Sequence, residues 1–338
     1  MTENSPTPRI LVSGETLVDF LPERPGPLSD VSGFERRPGG APANVAVALS
    51  RLDETPWFWT QIARDPFGDF LVDALADHLP DRFVERDPDA KTTLAFVTHD
   101  EAGDRAFSFY RDGTADTRLR PGGVSDDALA ELEWVYVGGV MLTTDPARSA
   151  TLDLAERARE ADCAVVFDPN ARPELWSDGE FAEAVREMLP FVDVVKATPD
   201  DLEMAGFSAR DLADSADLAA AANPPDSGDP ANLAADVCEE GPHTVLLTLG
   251  GAGAYAHATA DAPWGAGAAA HEGYDISVVD TTGAGDAFTA GALASLADGQ
   301  PLAEVLAFAN AVAALTTTEP GAMTALPTRD SVAKLRDS

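Results

Sequence analysis

The residues most able to do chemistry together form one short run, Asp280-Thr281-Thr282-Gly283-Ala284-Gly285-Asp286-Ala287-Phe288. An apolar run, 276–279, precedes it and reads as a strand; the Ala- and Leu-rich segment after it reads as a helix. A small-residue turn between strand and helix leaves the first backbone N–H groups of the helix without partners, and the helix dipole adds positive potential there. Phosphate oxygens suit such a place. Gly283 and Gly285 allow close approach, because no Cβ intervenes. Asp286 is out of place in a simple anion site, since a carboxylate repels phosphate. It makes sense as a base that takes a proton from a hydroxyl attacking a phosphoryl group. Taken alone, a helix-capping aspartate is the simpler reading.

A second run, Gly39-Gly40-Ala41-Pro42-Ala43-Asn44, opens an amphipathic helix. Its glycines would let a sugar ring lie against backbone, and the Asn44 amide can both donate to and accept from vicinal hydroxyls. Asp19 could accept from two hydroxyls, or simply end a strand. Arg172 follows a strand end in Asp168-Pro169-Asn170-Ala171-Arg172 and could bind an anionic oxygen or sit in a surface ion pair. Arg105 and Arg111 flank a predicted strand, with a solvated role equally open. Walker A, an intact G-x-G-x-x-G after the first strand, G-x-S-x-G and H-E-x-x-H are all lacking.

The elements that must position these residues follow an α/β rhythm. Residues 9–20 open as a buried strand ending at Gly14, with Glu15 and Asp19 beyond it, on the side where open α/β sheets place ligands. Period-two alternation over 92–99 and 106–110, around the turn 100–104, predicts a hairpin with one solvated face. Strands are expected at 134–137, 164–167, 192–195 and 245–249, and helices at 147–161, 179–188 and 199–205. Two closing helices are expected at 285–297 and 301–317. That order predicts a parallel, helix-covered sheet. Residues 208–232, rich in Ala, Asp, Pro and Gly, read as an acidic surface insertion.

Of 338 residues, 45% are hydrophobic, enough for one large α/β domain or two smaller ones, which argues against disorder despite a formal charge of −35. With 58 acidic against 23 basic residues, nucleic-acid binding is disfavoured. Lysine occurs only at 91, 196 and 334. A carboxylate surface with so few lysines suits concentrated salt, where self-repulsion is screened, so a halophilic source is expected. Cys163 and Cys238 read as core residues. Without a signal core or a membrane-length apolar run, the expectation is a cytoplasmic protein with no membrane partner.

The two runs together resemble the paired signatures of the ribokinase, or PfkB-type, carbohydrate kinase family, and the resemblance extends from about Arg9 to the end of the chain. It implies a three-layer α/β/α fold spanning 9–338, with a mostly parallel central sheet and a small β lid formed by 16–37 and 91–112. By that resemblance Asp286 is the catalytic base, and Gly283, Ala284 and Gly285 form the anion hole. Asp19, Gly39, Gly40 and Asn44 bind the sugar, with Arg111 and Arg172 nearby. Thr248, Gly250 and Gly253 match a nucleotide loop, and Asn310 a position near adenine. Asp280 and Thr282 match a monovalent-cation loop, with Gly321 a lesser candidate. The implied cofactors are ATP, Mg²⁺ and K⁺.

One motif departs from the family. Where relatives carry Asn-x-x-Glu, this chain has Thr198-Pro199-Asp200-Asp201. Asp201 can still hold Mg²⁺ through water, but Thr198 lacks the amide. The lid implied by the resemblance would close over the sugar, exclude water and pair two chains into a homodimer. Residues 14–20, Tyr110-Arg111 and 168–176 look most like fructokinases, which implies a ketohexose substrate phosphorylated at an unspecified hydroxyl. A 2-keto-3-deoxygluconate kinase and a non-catalytic sugar-binding regulator are the alternatives.

Overall fold

The structure, a computed structural model, describes residues 8–24, 26–99, 105–207 and 229–337. The chain opens with β1 (Ile10–Ser13), buried along its whole length. It then leaves the main body for β2 (Leu17–Pro22) and β3 (Phe34–Gly39) and returns through α1 (Ala41–Arg51), β4 (Trp57–Ala63), α2 (Pro66–Ala76) and β5 (Val84–Asp87). A second excursion makes β6 (Leu94–His99) and β7 (Arg105–Tyr110). The middle alternates strictly: α3 (Asp126–Leu129), β8 (Trp134–Gly138), α4 (Ala147–Glu160), β9 (Ala164–Asp168), α5 (Glu180–Met188), β10 (Val194–Ala197) and α6 (Pro199–Met204). The rest comprises α7 (Pro230–Cys238), β11 (Thr244–Thr248), β12 (Ala254–Ala258), β13 (Gly267–His271), α8 (Ala284–Ala297), α9 (Leu302–Thr316) and α10 (Arg329–Arg336).

Nine strands form one sheet in the order β13-β12-β11-β10-β9-β8-β1-β4-β5. All neighbours from β11 to β5 are parallel, while β12 pairs antiparallel with both β11 and β13. Because successive side chains alternate across a strand, each strand feeds two cores. Ile10 and Val12 of β1 join α1, α2, α8, α9 and α10 on one face. Leu11 joins α3 to α7 on the other. This is the expected three-layer α/β/α ribokinase-like arrangement.

The excursions meet in a four-stranded sheet, β3-β2-β6-β7. Its hairpin register pairs Leu94 with Tyr110 and Ala95 with Phe109. One face carries Phe20, Phe34 and Phe96, with Phe20 and Phe96 stacked at 4.9 Å and Phe20 edge-on to Phe67 of α2. The opposite face turns Asp19, Phe107 and Phe109 toward the main body, where they line a cavity.

One sequence expectation needs correction, and another lies largely outside the described residues. Residues 276–279 form no strand: Val278 and Val279 are exposed, and the N–H groups of Val279 and Asp280 reach the Thr317 carbonyl. An apolar run is a strand only where a neighbouring strand offers its edge, and this segment runs over the start of the Thr317 turn instead. The insertion expected at 208–232 lies outside the described residues up to 228. Its last residues belong to α7, which Asp229 caps through the Ala231 N–H.

Lys91 and Lys334 are exposed, so the third lysine, Lys196, is the buried one. With a formal charge of −35, self-repulsion should weigh on the fold at low ionic strength. Raising KCl from ~0.1 M to ~1 M shortens the screening length from about 10 Å to about 3 Å. We expect the thermal midpoint, followed by circular dichroism, to climb across that series. A flat series would remove self-repulsion as a significant term.

Candidate active site

The site lies where β1, β8, β9 and β10 end and α1 and α8 begin. Gly283 takes the left-handed conformation, φ 77° and ψ 0°, and starts α8 with no side chain capping it. A Cβ there would lie 2.6 Å from the Ala322 Cβ, so only glycine fits. The Ala284 N–H bonds to the Thr281 carbonyl at 3.2 Å, whereas those of Gly285 and Asp286 have no acceptor inside the helix. The helix itself is held firmly. Its residues from Ala287 to Leu296 are buried, and Gly291 lets it approach α9 closely enough that an added Cβ would sit 2.9 Å from the Ala309 Cα.

Asp286 does not cap α8, which corrects the simpler reading of the sequence. It sits within the first turn, and its Oδ2 accepts a 2.8 Å hydrogen bond from the Asn44 Nδ2 of α1. That bond joins the two informative sequence runs. Burial pushes the Asp286 carboxyl up to about 6, against the pull of the Asn44 hydrogen bond and the Lys196 charge.

Two cavities meet at Asp286. The inner one, about 100 Å³, is lined by Glu15, Asp19, Gly40, Asn44, Phe107, Phe109, Arg111, Arg172 and Gly283 among others. The outer one, about 520 Å³, is lined by Asp168, Lys196, Thr198, Asp200, Asp201 and Gly285. Asn170, Arg172, Thr282, Gly283 and Asp286 border both. In the inner cavity Gly39 makes room for Asp19, since a Cβ on Gly39 would lie 2.0 Å from the Asp19 Oδ2. Burial, then repulsion from Asp286, raises the Asp19 carboxyl to about 7. Gly39→Ala should therefore displace Asp19 and, on the expectation that Asp19 contacts a sugar, raise the KM for it by roughly tenfold, the loss of one charged hydrogen bond. Steady-state kinetics would test this, and an unchanged KM would take Asp19 out of the sugar contact.

Arg111 is committed within the protein. Its Nε donates to Asp116 Oδ2 at 2.7 Å, Nη1 donates to the Thr143 hydroxyl, and both members of the pair are buried. Arg172 Nη1 donates to the Ala171 carbonyl at 2.9 Å, and its guanidinium lies 5.7 Å from the Phe107 ring centroid. Thr198 and Asp201 form a reciprocal cap on α6. The Asp201 carboxylate also accepts from the Ala171 N–H at 2.9 Å. Threonine thus does the work of starting the helix that holds Asp201. Asp280 Oδ1 accepts from the Thr282 N–H and hydroxyl and Oδ2 from the Gly321 N–H, closing a loop beside Gly283.

The residues matched to the nucleotide lie apart from these cavities. Gly253 holds the turn between β11 and β12 against 271–273, with a Cβ position 1.9 Å from the His271 carbonyl. Next to it, Gly251, His271, Tyr274 and Val278 line a separate surface cavity. Thr248 reaches the Ala197 carbonyl at 3.4 Å, Gly250 begins the turn, and the buried Asn310 amide donates to the Leu306 carbonyl at 2.8 Å.

Sequence reasoning missed Lys196. Its Nζ lies 2.9 Å from Asp168 Oδ2, and a Cβ on Gly285 would be 3.4 Å from it. Burial works against the ammonium, but Asp168, Asp201 and Asp286 outweigh it and hold the Lys196 pKa above its ordinary value. A lysine inside the apolar strand VVKA had to have a buried partner, and that signal was available. Asp168 is itself fixed by the N–H of Asn170, a non-glycine residue with φ 44° that borders both cavities.

A model of the "pfkB family carbohydrate kinase" matches residues 7–329. The chain is 34% identical to the probable fructokinase-6, chloroplastic, of Arabidopsis thaliana over 96% of its length and 82% of that protein's. Among solved structures, it resembles a fructokinase with bound ATP from Xylella fastidiosa, with 31% identity, TM-score 0.80 and 98% of each chain covered. It also resembles a fructokinase variant from Vibrio cholerae O395 bound to fructose, ADP and a potassium ion. There the identity is 28% and the TM-score 0.78, over 97% of this chain and 98% of that one. The chain belongs to the pfkB family of carbohydrate kinases, phosphotransferases that act on a sugar hydroxyl.

Proposed function

We propose that the chain transfers the γ-phosphoryl group of ATP to a hydroxyl of fructose, with Asp286 as the base. The observation that carries this reading is the place of Asp286. Its carboxylate, steadied by Asn44, stands where the inner cavity opens into the outer one, at the positive end of α8. Fructose fills the inner cavity against Asp19, Gly39, Gly40 and Asn44, and the triphosphate enters from the outer one. The sugar oxygen gives its proton to Asp286 as its bond to phosphorus forms, and the bond from phosphorus to the ADP oxygen breaks. The backbone at Gly283, Ala284 and Gly285, with the Gly285 N–H as its open donor because that of Ala284 is bonded to the Thr281 carbonyl, and the Lys196 ammonium meet the charge on the transferring group. Fructose as the sugar and ATP as the donor are supported by what the similar fructokinases are described as binding.

Mg²⁺, when bound, neutralises phosphate charge. Among the described residues no group of three or more His, Cys, Asp or Glu is arranged to hold a metal. Asp200 and Asp201 line the outer cavity. That fits an ion held mostly by phosphates and water. The loop of Asp280, Thr282 and Gly321 is our candidate for K⁺, and Thr248, Gly250, Gly253 and Asn310 for the nucleoside side. The small sheet acts as the lid, bringing Phe107 and Phe109 over the sugar, and two lids pair in a homodimer.

A coupled ADP-release assay with Mg-ATP and KCl tests the reading, with fructose and 2-keto-3-deoxygluconate run side by side and the product identified by NMR. Turnover of fructose is expected, and the spectrum assigns the phosphorylated carbon. Turnover of the keto-acid alone would overturn the ketohexose assignment.

A further inference from the structure

Arg37 takes part in none of the steps above, yet it ties the small sheet to the loop beside α8. It lies on β3 directly opposite Asp19 of β2, so the two side chains leave the same face of that sheet. Glu35, two residues away on that face, accepts from Arg37 Nε at 3.0 Å and from Nη2 at 3.2 Å. The Glu35 end of this pair is 64% exposed, so the pair adds little to stability. What two parallel bonds do fix is the direction of the third nitrogen. Nη1 packs on Gly321, where an added Cβ would lie 2.2 Å from it.

Gly321 is a turn residue with φ 94°, and its surroundings reach the start of α8. Its N–H donates to Asp280 Oδ2 at 2.8 Å, while Oδ1 of the same carboxylate accepts from the Thr282 N–H and hydroxyl. The next residue, Ala322, is the one whose Cβ leaves room only for glycine at position 283. A cavity of about 20 Å³ between the strands and this turn is bordered by Asp19, Arg37, Thr282 and Ala322. The other edge of the small sheet meets the main body more loosely, with the Phe107 N–H donating to Glu174 Oε1 at 3.3 Å.

We propose that Arg37 is a positioning residue: held by Glu35 and seated on Gly321, it sets the small sheet at the height that brings Asp19 to the sugar. The inference rests on the proposed function for the sugar and for Asp19 as its contact. A sheet released at β3 would carry Asp19 away from the reacting end of α8, and a shift of about an ångström is enough to cost a large factor in binding and rate.

The test is a double-mutant cycle on the whole chain, comparing the wild type, Arg37→Ala, Asp19→Asn and the double variant. Calorimetry with fructose and with 2-keto-3-deoxygluconate gives the affinities, and steady-state kinetics give KM for sugar and for Mg-ATP. Arg37→Ala should weaken fructose by about tenfold and leave the KM for ATP unchanged. Asp19→Asn should cost about as much. Because Arg37 acts through Asp19, the double variant should lose no more than about twofold beyond Asp19→Asn, whereas independent contributions would multiply to about 100-fold. Multiplied losses, an unchanged fructose affinity in Arg37→Ala, or an equal loss of ATP would overturn the proposal and leave Arg37 a surface ion-pair residue. Whichever sugar the wild type binds carries the cycle, so a wild type that takes the acid alone breaks the ketohexose assignment and still decides the role of Arg37. A wild type that binds neither sugar would overturn both.

Discussion

Asp286→Asn is expected to lower kcat by roughly 10³-fold, within the range for loss of a positioned base and equivalent to about 4 kcal/mol of barrier. The asparagine oxygen can still accept from Asn44, so the contact between α1 and α8 survives and fructose affinity should change little. Rapid-quench or steady-state assays beside calorimetry separate the two. Near-normal kcat would remove Asp286 from the base role. The wild type carries a matching pH signature. A base must be unprotonated, and burial raises Asp286 to about 6, so kcat/KM should fall as pH drops below that value, well above where an ordinary aspartate titrates. Asp19 and Glu15, both raised to about 7, share the cavity, so the limb belongs to the group of carboxyls together.

The second large effect is expected at Lys196. Lys196→Met removes the cation beside Gly285 and should reduce kcat by roughly 10²- to 10³-fold, comparable to losing a preorganised donor to the transition-state charge. It also strands Asp168 in the interior, a cost of about 3–5 kcal/mol for a broken buried pair. The double variant Lys196→Met/Asp168→Asn removes the stranded charge and should recover much of the thermal stability but not the activity. If activity returned with stability, Lys196 would be only a structural partner of Asp168.

Much of the site was legible because its parts sit in continuous sequence. Gly283 and Gly285 announce a tight turn before a helix, and Asp286 is odd enough there to ask for a reason. A parallel, helix-covered sheet was legible from strand–helix alternation between β8 and β11, and the three-layer arrangement from the family resemblance. Lys196 and Asp168 were not assigned roles because each acquires its meaning from a neighbour distant in sequence. Lys196 needs Gly285, and Asp168 needs Lys196. The misplaced strand at 276–279 failed for the same kind of reason. Its residues have strand propensity, but no edge is there to receive them.

The bond between Asn44 and Asp286 joins positions 242 residues apart. One residue comes from the first helix and the other from the eighth, so the reacting centre cannot exist until nearly the whole chain has been made and docked. Contacts of such sequence separation are entropically expensive and form late in folding. A nascent chain that ends before α8 lacks Asp286 and the N–H groups at the start of that helix, the proposed base and anion donors. Synthesis itself thus acts as a timer: no partly made chain can turn over ATP, and activity should appear only with the completed carboxyl-terminal third.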